Sequence, residues 1–220
     1  MPQSGKKPTV KQQRAAARER KLEEFRKREA RMKRNRLMAI WGSVAVGIAI
    51  VALIVTSVVL TPQPASYNAG GEGADIEGVE TFDNTAEHVE GTVDYPQIPP
   101  AGGQHNAAWL NCAVYEEPVP NENAVHSQEH GAVWVTYDSS LSDAEVSALR
   151  SKLPSTYAIM SPYDDLPSKV VLSAWNAQLQ LDEVDAERIG QFFEEYWQSQ
   201  NAPEAGASCT GAIDGPGKVS

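Results

Sequence analysis

Histidine is the scarce residue of this chain, and its placement is the first chemical clue. The four histidines, His88, His105, His126 and His130, all fall within 43 of the 220 residues. Two of them close the string His126-Ser127-Gln128-Glu129-His130, which reads as H-x-x-E-H. On a helix, positions four apart share a face, so His126 and His130 could hold one ion together. His105, on a Gly-rich loop, could supply a third imidazole. His88 and Met160 are weaker ligand candidates; Glu129 is expected to orient an imidazole, a carboxylate ligand from Glu129 or Glu117 being the alternative. Imidazole suits copper and zinc alike, and a thioether from Met160 would tilt the set toward copper.

H-x-x-E-H is also the inverted zinc-peptidase pattern. That chemistry requires a helix bearing both histidines, a glutamate base and a third ligand from a second helix. Glu204 stands at a suggestive distance downstream, but in "NAPEAGASC", a Pro- and Gly-bearing tail. Gly131 and a β-branched run follow His130 at once, leaving a turn or two of helix around the motif. No G-x-S-x-G string or spare thiol suggests a nucleophile instead. The competing structural reading is that His130 caps a helix end and the others bond acidic groups.

What must carry these residues is set by charge and hydropathy. Residues 1–36 hold 14 of the 19 Lys and Arg and 4 of the 29 Asp and Glu, so this arm carries about +10 and the remainder about −20. Between them, Leu37 to Leu60 has no charged residue for 24 positions, enough for a helix to cross a hydrocarbon core of roughly 30 Å. The run is too long and too far inside the chain for a secretory signal, so an uncleaved anchor is expected. Arg31, Lys33, Arg34 and Arg36 precede it, and no Lys or Arg follows until Arg150. The positive-inside bias then places the N-terminus in the cytoplasm and the acidic part outside a plasma membrane, single-pass. The arm is read as a topology signal with a solvated helix; anionic headgroup attraction is the alternative, and nucleic acid is excluded as a partner.

Five segments follow: a basic cytoplasmic arm (1–36), the transmembrane helix (37–60), a flexible acidic Gly/Pro linker (61–85), an extracytoplasmic domain (86–212) and a tail (213–220). Within the domain, 132–137 and 157–163 read as strands, and 170–182 as one further strand. Residues 141–153 read as a helix with Ser142 at its N-cap and Glu145 completing a capping box. A second amphipathic helix is expected over 182–200, with Ile189, Phe192 and Phe193 inward. The expected class is α+β, a mostly antiparallel sheet with two helices. Cys112 and Cys209 both fall on the outer side, where thiols end as disulfides. Thiolate ligation is the alternative, without C-x-x-C spacing to support it.

The strings "DYPQIPPAGGQHN", "YEEPVPNENAVHSQEHGAVWVTY", "IMSPY", "SAWNAQLQLD" and "PEAGASC" resemble the domain of unknown function 3105 family of actinobacterial-type membrane-anchored proteins. The resemblance covers about residues 85–212. It implies a recurring set of positions, here His105, Cys112, Glu117 to Pro120, His126, Glu129, His130, Gly131 and Trp175, and carries no chemistry with it. The expectation taken forward is a membrane-anchored, non-catalytic protein holding a transition metal, copper ahead of zinc, for an envelope or respiratory complex. The alternative is an accessory or assembly subunit whose histidines are structural and whose Trp109, Trp134 or Trp175 dock a partner. The zinc peptidase ranks last.

Overall fold

The computed structural model describes residues 9–60 and 63–219, and the chain divides between residues 62 and 63 into two units. The first is one helix, α1 (Val10–Leu60), of 51 residues. Strong helix formers without Pro run from the basic arm straight into the apolar stretch, and nothing in the sequence interrupts the ladder. This helix is long and apolar enough to cross a membrane, and its described apolar side chains are exposed. Ser43, the hydroxyl near the start of the apolar run, donates back to the carbonyls of Ala39 and Ile40, so it adds no unpaired polar group there.

The second unit is built on a five-stranded mixed sheet. Its strands are β1 (Val79–Thr81), β2 (Val133–Tyr137), β3 (Ala158–Pro162), β4 (Val170–Ala174) and β5 (Ala177–Leu181), in the order β1-β5-β4-β2-β3. Only β2 and β3 run parallel, and the crossover between them carries α3 (Asp143–Arg150). The capping box forms as expected, Ser142 accepting from the Glu145 N–H while Glu145 reaches back to the Ser142 N–H. The final helix is α4 (Ala186–Tyr196), entered through Asp185, whose carboxylate accepts from Glu187 and Arg188 N–H. The class is α+β, with three helices in this unit rather than two: the third is α2 (Asn121–Glu129).

Residues 170–182 form a hairpin instead of one strand. Ala174 pairs with Ala177, so Trp175 and Asn176 are the two-residue turn. Asn176 sits at φ +60, a left-handed conformation that its short polar side chain tolerates. Continuous apolar alternation hid the break.

The two sheet faces are chemically unlike. One is apolar: Val133, Val135, Met160, Leu172 and Leu179 pack against Leu149 of α3 and Ile189, Phe192 and Phe193 of α4. The other carries Ser161, Ser173 and Gln178, all buried, and is covered by irregular chain and by α2. Gln178 there donates to the Pro99 carbonyl at 2.7 Å, and the Asn176 N–H to that of Ala101 at 3.1 Å. Polar strand residues meet polar loop backbone, which needs partners because it belongs to no ladder.

Residues 63–85, expected as a flexible spacer, are laid onto the fold. Tyr67 stacks on Phe193 with centroids 4.9 Å apart, and its hydroxyl donates to Lys152 O at 2.8 Å. The buried Glu195 carboxylate accepts from the N–H groups of Glu72, Gly73 and Ala74. β1 then joins the sheet edge. At the other end, Asn111 N–H donates to Ile213 O, Glu116 N–H to Gly217 O and Val219 N–H to Val114 O, so the tail also packs back. Ordered chain therefore extends on both sides of the expected 86–212 domain.

Because one carboxylate satisfies three backbone donors, Glu195→Ala should cost the 63–220 unit roughly 2–3 kcal/mol. Urea unfolding would measure the loss, with faster amide exchange at residues 72–74 as its local sign. Unchanged exchange there would mean that the strap is held by other contacts.

Candidate metal centre

Helix α2 is unusual in composition: Asn123, His126, Ser127, Gln128 and Glu129 are all buried. Each finds its partners in the irregular chain around it. Asn123 donates to Ala108 O at 2.6 Å and Ser127 to Leu110 O at 2.6 Å. Gln128 donates to Pro100 O and accepts from Gly102 N–H. The polar side chains of one short helix thus serve as hydrogen-bonding ladder for residues 100–110, and in doing so fix the loop that carries His105. His88 arrives by backbone pairing, its segment bridged to that of His105 by Val89 N–H to His105 O and His105 N–H to Glu87 O.

The end of α2 is closed by the returning tail. Glu204 N–H donates to Glu129 O and Gly206 N–H to His130 O, covering carbonyls that a helix terminus leaves orphaned. Gly131 follows at φ +98, and a Cβ there would meet the Gln198 Cα at 3.0 Å, so glycine answers both the turn and the close approach. The expected disulfide joins Cys112 to Cys209 and anchors this tail.

The imidazoles are held in one consistent way. Nδ1 of His105 lies 2.8 Å from Gly103 O, that of His126 2.7 Å from Asn106 O and that of His130 2.7 Å from Ser208 O. A carbonyl only accepts, so each Nδ1 carries a proton, and whenever such a ring is neutral its lone pair sits at Nε2. Those lone pairs converge. His126 Nε2 is 3.0 Å from His130 Nε2, and His105 Nε2 is 2.9 Å from Glu129 Oε2. Glu129 Oε2 also lies 3.7 Å from His88 Nε2 and 4.0 Å from His126 Nε2, while Glu204 Oε2 stands 3.4 Å from His130 Nε2.

Two groups result: His88, His105, His126 and Glu129, and His126, His130 and Glu204, the ligand atoms within each lying within 4.8 Å of one another. Four donors at about 2.0–2.1 Å from a tetrahedral ion are separated by about 3.3 Å, and the separations of 2.9, 3.0, 3.4, 3.7 and 4.0 Å found here bracket that value. Two lone pairs facing each other at 3.0 Å repel unless a cation stands between or on them, and a carboxylate against an unprotonated Nε2 makes the same demand. A proton is a poor answer at His126. Burial pushes its imidazole down from 6.5 to about 4; the Asn106 hydrogen bond opposes this, and the charges of His130, His105 and His88 add to the fall. A divalent metal ion bound at Nε2 meets the demand within either group without a proton on His126.

The walls are aromatic. Trp109 lies tilted against His126 and His130, with centroids 5.8 and 5.2 Å away, and Trp175 meets His105 edge-on at 5.8 Å. Trp175 and Trp134 are buried, Trp134 donating to Ser161 Oγ, so neither is displayed for docking.

Of the residues singled out by the sequence, His88, His105, His126 and His130 come together. Met160 does not serve with them: it is wholly buried in the apolar core beside Val135 and Leu172. Glu129, expected first as an orienter of a ring, offers its oxygen among the converging atoms. Glu204 is the addition. Its tail position argued against it, yet the Cys112–Cys209 pairing was the signal that this tail returns to the loop before β2.

A family model described as "Protein of unknown function (DUF3105)" matches residues 88–211, more than half of the chain, and the chain belongs to that family. No curated protein and no solved structure matches it.

The His126 shift has a stability signature in metal-free protein. As pH falls below 6.5 the unfolded chain takes up the proton first, while the folded imidazole resists until about pH 4. Above 6.5 the ring is neutral in both states and contributes nothing to the pH dependence. Stability should therefore decline by about 3 kcal/mol between these limits on account of this ring alone. Chelator-treated wild type and His126→Gln, unfolded in urea across pH 4–7.5, would separate that share: the variant should lose the slope.

Proposed function

We propose that this DUF3105 protein is a membrane-anchored, non-catalytic holder of one divalent transition-metal ion, copper(II) ahead of zinc. The observation that carries the reading is the common posture of His105, His126 and His130, each with Nδ1–H given to a backbone carbonyl and Nε2 set within one of two adjoining ligand groups that share His126. Ring nitrogens pinned by a carbonyl are the usual support of a metal-bound imidazole, fixing tautomer and direction together. The donors are nitrogen and carboxylate oxygen, without thiolate, since both cysteines are spent on the disulfide. Such a set suits Cu²⁺ and Zn²⁺, with Cu²⁺ the tighter in the general order of affinities.

Holding rather than hydrolysis is favoured by the engagement of Glu129. The glutamate of the H-x-x-E-H string would need a free oxygen beside a metal-bound water, and its Oε2 is instead 2.9 Å from His105 Nε2. His105, His126, Glu129 and His130 are buried as well. The helix α1 and the basic residues before its apolar stretch support anchorage in a plasma membrane with the histidine unit outside. There the ion would be kept for an envelope or respiratory complex.

Elemental analysis and competitive titration of the full chain in detergent test this directly. One Cu²⁺ per chain is expected, with zinc displaced by copper. His105→Ala and His126→Ala should each weaken binding by at least 100-fold without loss of helix and sheet signal. Wild-type protein that retains no metal above background would sink the reading.

A further inference from the structure

Granted that metal reading, His126 has a singular position: it belongs to both ligand groups. Its Nδ1 is committed to Asn106 O, so it has one free lone pair, on Nε2. One lone pair binds one ion. The two groups therefore cannot each hold an ion through His126 at the same moment, and a dinuclear centre bridged by this ring is excluded.

What remains is one ion with two seats. The His126 Nε2 lies 3.0 Å from the His130 Nε2 on one side and 4.0 Å from the Glu129 Oε2 on the other. An ion on His126 can exchange the remaining donors one at a time, never losing that bond. Each seat adds one carboxylate, Glu129 or Glu204, so the formal charge around the ion is the same in both. The first seat adds two imidazoles, His88 and His105, and the second only His130, so the first is the tighter. Each group also ends in one solvent-exposed ligand, the side chains of His88 and Glu204 being 48% and 53% exposed, while the ligands between are 4% exposed or less.

We infer that His126 is a pivot that passes a single divalent ion from a His88–His105–Glu129 seat to a His130–Glu204 seat, from which it leaves. Every step replaces one donor by another; no electron is transferred and no covalent bond of the protein breaks.

The test uses the full chain in detergent loaded with Cu²⁺, with copper content, the electron paramagnetic resonance spectrum and the rate of capture by excess chelator as readouts. Both variants, Glu204→Gln and His88→Gln, alter exposed side chains and spare the buried ligands. Wild type should hold one ion per chain and show two overlapping copper signals. Glu204→Gln should collapse these toward the nitrogen-rich signal and slow capture at least fivefold. His88→Gln should favour the other signal and speed capture at least fivefold, the stoichiometry staying at one. Two ions per chain, or rates that shift together or not at all, would overturn the pivot while leaving the metal site standing. A wild-type chain that takes up no copper would overturn both.

Discussion

Three backbone carbonyls govern this structure. Gly103, Asn106 and Ser208 each accept from the Nδ1 of a buried imidazole, and through that choice of nitrogen they decide where the lone pairs of His105, His126 and His130 point. None of the three belongs to a helix or strand, so their positions are set by contacts outside any ladder. Asn123, Ser127 and Gln128 of α2 impose those of Gly103 and Asn106 by gripping the backbone between Pro100 and Leu110, and the Cys112–Cys209 bond holds the segment of Ser208. Leaving any buried partner unpaired costs about 1–3 kcal/mol, so the network holds as a whole or fails as a whole. A helix this polar is buried because the loop around it has nothing else to bond.

The division of the sheet into unlike faces makes this arrangement possible. The apolar face, closed by α3 and α4, carries the larger hydrophobic cluster, while the other face joins a smaller one around Trp134 and Ile159 to its polar side chains. The histidine chemistry is thereby set on the side of the five strands away from the larger core. The strap from Gln63 to Thr81 and the tail from Ile213 to Val219 add backbone pairing at the margins, the first through Glu195 and β1, the second along residues 109–117.

Local chemistry was legible in the sequence where it is self-contained. The capping box of α3 lies within four residues, and the apolar spacing of α4 needs no partner to be seen. The hairpin at Trp175–Asn176 was not legible, because its turn uses a tryptophan inside an unbroken alternation. The strap read as linker because its order comes from a carboxylate more than 120 residues away. His126 and His130 were recognisable as a pair, but their burial was not, since Asn, Ser, Gln and Glu ordinarily mark a solvated face. Glu204 depended on tertiary return of the tail, and only the cysteine pairing hinted at it.

The Cys112–Cys209 bond gives the centre a sense of place. It spans 97 residues, and the segment it ties down carries both Ser208, which orients His130, and Glu204. In a reducing compartment such a bond does not persist. There the chain would own its first three imidazoles in place but lack a fixed end to the second group. Completion of the second ligand group is then a matter of geography: the end that carries Ser208 and Glu204 is fixed only where the cysteines are oxidised.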